Sequence, residues 1–382
     1  MRDLRKGREL LQLLDRKRFD ELCLKWGMDK GVRRLDTWEQ TCAHIMAFVM
    51  RLESLREIEA ALAIPRSTFA DANSRRSAVF FEELCMVVLG QLQELTRCRK
   101  IKRAIQQLLA LDASECRVHG SLAKVPKWLQ KNNKQKNTAS LKLHAVWNID
   151  DEWIEDFRVT PGNATDTQIA KQFKIRGGCV YIFDRAYNDL SFWWDIVENG
   201  SHFVTRLKTS SKRNRKRELV LQRSGQADGV LWETRWTPSN PKRHQSVPRK
   251  VSFRHIIYRD PETKKVFDFI TSDEASTAQE IADIYKKRWA VELLFRWLKG
   301  HLNIRYLASK NPNAIRIQMA VAILVQLLTQ LYKTVTQYKG TLWDCLRQLR
   351  MSLVQNGLKG SRFPADLRWA ARSTGALRPP PP

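Results

Sequence analysis

The chain has 382 residues, with 67 Lys and Arg against 40 Asp and Glu for a net charge of +27. Its length excludes a minimal module and leaves room for two or three domains. Its charge favours a polyanionic partner, with nucleic acid as the first candidate. A membrane role fits less well, because the basic residues are scattered through domain-like sequence instead of gathered on one amphipathic anchor. The seven cysteines are odd in number, far apart and without a CxxC spacing. They read as free buried thiols in a reducing cytoplasm, neither disulfides nor zinc ligands. The start, MRDLRKGREL, lacks the apolar run of a signal peptide. The longest apolar segment, 319–332, is short for a membrane span and carries Gln326 and Gln330, so it reads as a buried helix.

Residues 1–100 keep helical periodicity nearly throughout and form an α-helical N-terminal domain. Within it, SLREIEAALAIPRSTFADANSRR suits two helices joined by a turn at Ile64-Pro65. That is either a helix-turn-helix, with Arg66, Ser67, Thr68 and Asn73 near DNA, or an ordinary helical hairpin; the two readings stand open. The basic run 97–103, RCRKIKR, is either a phosphate contact or a solvated linker.

From 101 to 208 short apolar runs alternate with helical ones, the pattern of an α/β domain. Asp112 and Asp184 stand at the ends of strand-like runs, where open α/β sheets gather their sites. Residues 209–270 open with a basic stretch and continue as three alternating segments, a β-rich insertion. The α/β domain resumes over 271–335, with a capping box at Thr277 and Glu280, or Ser276 and Gln279. A basic helical tail occupies 336–382 and ends in four prolines, which stay extended.

The stretch 285–299, YKKRWAVELLFRWLK, reads as one helix. At about 100° per residue, Tyr285, Arg288, Glu292 and Lys299 share an arc of roughly 60°, which Arg296 joins, opposite an apolar stripe. On an arbitrary helix an acid among bases is more commonly a surface ion-pair face. Together with Asp112 and Asp184, however, Glu292 completes a set of three carboxylates. Hard divalent cations in phosphoryl-transfer sites take such oxygen ligands, and flanking bases offset the phosphates that the acids repel.

Tyr285-x2-Arg288-x3-Glu292-x6-Lys299 resembles the signature of bacterial DDE transposases of the insertion-sequence-4 family. Asp184-Arg185-Ala186-Tyr187 resembles the family's second-aspartate motif, and LDAS at 111–114 its first-aspartate strand. RKRFDELCLKWGMDKGVRRLDTWEQ is similar to the helical N-terminal domain of one branch. Two departures stand out: Ala113-Ser114-Glu115 lacks the threonine many relatives carry, and Ala186 replaces the usual glycine. Neither removes a metal ligand.

The resemblance implies an α/β, ribonuclease-H-like catalytic domain interrupted by a β-rich insertion and preceded by an α-helical domain. It makes Asp112, Asp184 and Glu292 the catalytic and Mg²⁺-binding triad, with Mn²⁺ able to substitute. Tyr285, Arg288 and Lys299, with Arg296 and Arg185 beside them, become the DNA contacts. The implied partners are double-stranded DNA, as terminal inverted repeats and target, and a second copy of the chain in a synaptic dimer. The implied place is the bacterial cytoplasm, at the nucleoid when DNA is bound. A catalytically silent DNA-binding relative and a metal-dependent nuclease without strand transfer are the alternatives. Trp232 and Trp236 could receive a flipped base, but their i, i+4 spacing on a strand reads first as a core pair. His119, His144 and His301 read as structural or surface residues, since no zinc spacing supports them.

Overall fold

The computed structural model describes residues 10–100, 107–118, 139–207, 220–222, 229–238, 247–248, 250–302, 304, 309 and 311–357. The basic run 97–103, His119, the stretch 209–218 and the terminal prolines lie wholly or largely outside the described side chains. The chain divides into two compact units, one formed mainly by Met1–Lys102 and Trp297–Pro382, the other mainly by Lys127–Arg296 with Arg103–Arg117.

The first unit is helical. Helix α1, Arg16–Trp26, starts at Asp15, whose carboxylate accepts the Arg18 N–H, and stops at Gly27, which has the positive φ that favours glycine. Helix α2, Thr37–Met50, opens with a reciprocal Asp36/Glu39 capping box. Helices α3, Leu55–Leu62, and α4, Arg66–Arg75, are joined by three residues, a turn length that helix-turn-helix units use. Helix α5, Ala78–Lys100, packs against the 24-residue helix Pro312–Val335. The last described helix of the unit is Leu342–Gly357. Pro312–Val335 is long and apolar enough to cross a bilayer, yet 89% of its most apolar window is buried among its neighbours, as in a core helix.

Asn73, placed near DNA by the helix-turn-helix reading, is buried instead. Its amide oxygen accepts from Gln40 Nε2 at 2.6 Å and His44 Nε2 at 2.7 Å. An apolar-facing position on α4 therefore holds a satisfied polar group, the condition under which such a group can be buried cheaply.

Among the described residues, the second unit is one mixed sheet of nine strands in the order β3-β2-β1-β4-β5-β9-β8-β7-β6. Their spans are β1 Gln107–Val118, β2 Ala139–Asn148, β3 Trp153–Pro161, β4 Cys179–Phe183, β5 His202–Arg206, β6 Val220–Gln222, β7 Val230–Trp236, β8 Phe253–Arg259 and β9 Val266–Thr271. β1, β4 and β5 are parallel, and β2 with β3 forms an antiparallel pair. Helices α6, Asp166–Ala170, and α7, Leu190–Glu198, cover one face, where Phe183, Phe192, Trp193 and Phe203 form an aromatic core. Helix α8, Ala278–Lys286, covers the other through Ile281, Ala282 and Tyr285. Its capping box is Thr277 with Glu280. This is a ribonuclease-H-like domain with an insertion.

The insertion continues the sheet: β9 pairs antiparallel with β5, and β8, β7 and β6 follow outward. His255, fully buried on β8, donates through Nε2 to Asp268 on β9 and meets the Thr234 hydroxyl on β7 through Nδ1 at 3.2 Å. One imidazole thus ties three of the added strands together. A bulge between Val230 and Trp232 reverses the alternation of β7. Val230 therefore joins the α8-side core while Trp236 joins the α7-side core. Trp236 packs edge-on to Trp193, centroids 5.9 Å apart, while Trp232 is half-buried.

The described cysteines, all except Cys98, are free, and five of these six are buried.

Candidate active site

The last rung of the parallel β1–β4 ladder pairs Leu111 with Phe183. The next residues are Asp112 and Asp184. β1 runs on to Val118, so Asp112 ends a ladder and not its strand, a correction to the sequence reading. Leu109, Leu111, Tyr181 and Phe183 face α7, whereas Leu108, Val180 and Ile182 face α8. By strand alternation both aspartates point to the α8 side.

Asp184 leaves β4 and caps the short 3-10 turn Arg185–Tyr187, accepting the Ala186 N–H at 2.7 Å. Thr205 on β5 donates its hydroxyl to the Asp184 carbonyl at 3.2 Å, which fixes the backbone behind the carboxylate. Asp112 accepts the Ala113 N–H at 2.8 Å.

The stretch 285–299 is not one continuous helix. α8 ends at Lys286 and a second helix, α9, spans Trp289–His301. Across the joint the bonds run three residues back: Lys287 N–H to Ile284, Arg288 N–H to Tyr285 and Val291 N–H to Arg288. Such a tight turn winds three residues per turn, so Arg288 is placed at the joint and Glu292 in the first turn of α9. Tyr285 lies on the buried side, its ring 5.0 Å from Phe269. Burial raises its pKa, and the Arg288 guanidinium sits 5.8 Å from its ring centroid.

Arg288 joins the acids. One guanidinium nitrogen lies 2.6 Å from Glu292 Oε1 and the other 3.6 Å from Asp112 Oδ2, while its Nε is buried without a partner. The Asp112 carboxyl is pushed up to about 6, chiefly by burial and further by the charges of Asp184 and Glu292, against the Ala113 N–H and Arg288. Asp112 thus feels the charge of both other acids. Among the described residues no three His, Cys, Asp or Glu side chains meet the spacing of a metal cage. The bridging cation between Asp112 and Glu292 is Arg288.

Arg185 is exposed on the 3-10 turn, and Arg296 is exposed on α9 with its guanidinium 5.9 Å from the Trp289 ring centroid. Lys299 is half-buried in the last turn of α9, past the point between Arg296 and Trp297 where the chain passes into the helical unit. His144 is buried, its Nε2 2.9 Å from the Thr160 hydroxyl, and burial lowers it to about 4. His301 stacks on Trp343 at 3.7 Å. Both are structural.

Sequence reasoning assigned no role to Tyr187 or Thr205. The Tyr187 hydroxyl is buried without a hydrogen-bond partner, in the field of Asp112, Asp166 and Asp184. Its place in Asp184-Arg185-Ala186-Tyr187 was the available signal; Thr205 had none.

The fold and these carboxylates define a ribonuclease-H-like domain with two aspartates just beyond the last β1–β4 rung and Glu292 linked to one of them through Arg288. The profile of the transposase DDE domain matches residues 103–328, and that of a domain of unknown function (DUF4372) matches residues 8–68. The chain belongs to the DDE transposase superfamily. It is 30% identical over 284 residues to a putative transposase of Sinorhizobium fredii, spanning 74% of each chain. It is 25% identical over 286 residues to a putative transposase for insertion sequence element IS4SA of Synechocystis, spanning 74% of this chain and 76% of that one. A cryo-EM structure of the piggyBac transposase synaptic complex with hairpin DNA shares the fold, with a TM-score of 0.50 at 12% identity over all of this chain and 87% of that one.

Proposed function

We propose that this protein is a bacterial insertion-sequence transposase of the insertion-sequence-4 type. It binds the inverted-repeat ends of its element, cleaves at their 3′ ends and joins them to target DNA, acting in the cytoplasm as a dimer on paired ends. The observation that carries the reading is the adjacency of Asp112 and Asp184 beyond the last β1–β4 rung, with Glu292 linked to Asp112 through Arg288.

The donor set suits a hard divalent cation: the charges of Asp184 and Glu292 both raise Asp112, and one guanidinium, Arg288, serves Asp112 and Glu292. Asp112, Asp184 and Glu292 would hold Mg²⁺ or Mn²⁺, which supplies activation of the attacking oxygen and neutralisation of the departing one. The chain's own residues do the rest. Thr205 and the turn N–H of Ala186 hold Asp184 in place. Tyr285, packed on Phe269, sets the position of Arg288, which would turn from Glu292 to a DNA phosphate on binding. Arg185, Arg296 and Lys299 add phosphate contacts that set the register of the duplex without reading its sequence.

The test supplies duplexes copied from the inverted repeats flanking the gene, a target plasmid and Mg²⁺, and looks for joined product. Joined product that disappears in Asp112→Asn and in Asp184→Asn supports the reading. Cut ends without joining would make the protein a nuclease, and joining that survives either substitution would overturn the assignment.

A further inference from the structure

The helical unit holds an open groove of about 660 Å³ between residues 26–35, which join α1 to α2, and helix α4. That volume far exceeds a single ion's needs. Lys30, Arg33, Arg34 and Arg75 line it as exposed cations, against Asp71 as the one lining carboxylate. Asp71 is already paired with Arg75 at 2.8 Å. No side-chain hydrogen bond or ion pair engages Lys30, Arg33 or Arg34 among the described residues. The exposed face of α4 carries Ser67, Ala70 and Ser74, side chains short enough for a partner to approach the helix closely.

The basic wall is built, not draped. Asp29 accepts from the Thr37 backbone N–H at 2.8 Å and the Thr37 hydroxyl at 2.7 Å. Arg76, buried at the end of α4, donates to the Leu35 carbonyl and, at 2.7 Å, to Gln40 Oε1. Asp29 is thereby tied to the start of α2 and Leu35 to the end of α4, so the backbone that carries the cations is anchored at both ends.

We infer that this groove seats the phosphate backbone of duplex DNA, with Arg33 and Arg34 on the phosphates and α4 against the groove of the helix. The inference gives the segment of unknown function a role, and it rests on the transposase reading for its choice of polyanion. Because phosphate contacts carry no sequence information, the groove acts on any duplex.

The test uses the full chain and a labelled duplex of arbitrary sequence, with binding followed by fluorescence anisotropy across a range of KCl. Three proteins are compared: wild type, Arg33→Ala/Arg34→Ala, and Arg56→Ala/Lys339→Ala, which removes the same charge from exposed positions outside the groove. The groove variant is expected to lose roughly tenfold or more in affinity at ~0.1 M salt. Its slope of log K against log salt should be shallower by about 2, as for two lost phosphate contacts. The control should keep the wild-type slope, and thermal melts of all three should coincide. Equal losses in both variants, or an unchanged slope in the groove variant, would overturn the groove while leaving the transposase reading intact. A wild-type chain that binds no duplex at any salt would overturn both.

Discussion

Arg288 holds Glu292 at 2.6 Å from the turn that separates two helices, and the same guanidinium lies 3.6 Å from Asp112. The contact couples the sheet to the helix joint. Replacing Arg288 with Ala removes the shared cation and leaves Asp112 and Glu292 facing each other. The expected outcomes are lost end cleavage and a salt slope of DNA binding shallower by about 1, if one phosphate contact is lost. Arg288→Lys should retain part of the binding but not the fork that reaches both acids. Cleavage assays and salt titrations of the two variants read these effects.

Trp236 is expected to act as core, not as a receiver of a flipped base, because it is buried against Trp193 and Phe253. Trp236→Ala should cost about 3–5 kcal/mol, the range for deleting a large buried ring, seen as a lower melting temperature. Trp236→Phe should cost much less, since the indole N–H has no partner to lose. Half-buried Trp232 should tolerate Ala better.

Thr277 starts the helix that carries Tyr285 to the joint, and its hydroxyl accepts the Glu280 N–H at 3.2 Å. Thr277→Ala should cost about 1 kcal/mol, whereas Thr277→Ser should be close to neutral. Chemical denaturation of the two variants separates these outcomes.

His44 and His144 are each held neutral by burial, which lowers both to about 4 from the ordinary histidine value. Between those values the unfolded chain binds more protons than the folded one, so stability is fully present above about pH 6.5 and falls as pH drops towards 4. For His44 the loss amounts to roughly 3 kcal/mol at the acid end. Melting temperature followed against pH should fall over this window, and His44→Gln should flatten the fall.

Much of this arrangement was legible before the structure. The apolar runs ending in Asp112 and Asp184 are the mark of buried parallel strands, and the start of α8 was narrowed to two overlapping capping boxes, of which Thr277/Glu280 forms. The joint was not legible: Tyr285-Lys-Lys-Arg288 has neither Gly nor Pro, and all four residues tolerate a helix. The turn arises where Tyr285 packs into the sheet core and α9 departs. Nor did alternation in LWETRW and KVFDFIT say which strand each would meet. A period of two identifies a strand but not its partner, so the union of β9 with β5 depended on contacts distant in sequence. Asn73 misled for a related reason, since a polar residue on a helix looks solvent-facing until Gln40 and His44 are seen around it.

The central claim is that Glu292 acts with Asp112 and Asp184 on DNA. Wild type and Glu292→Gln, the latter nearly isosteric, should be incubated with paired, labelled duplexes from the flanking inverted repeats and Mg²⁺, and cleavage at the 3′ ends measured beside binding. The account predicts cleavage by wild type and binding without cleavage by Glu292→Gln. Cleavage retained in the variant, or absent from both while paired ends are bound, would contradict it.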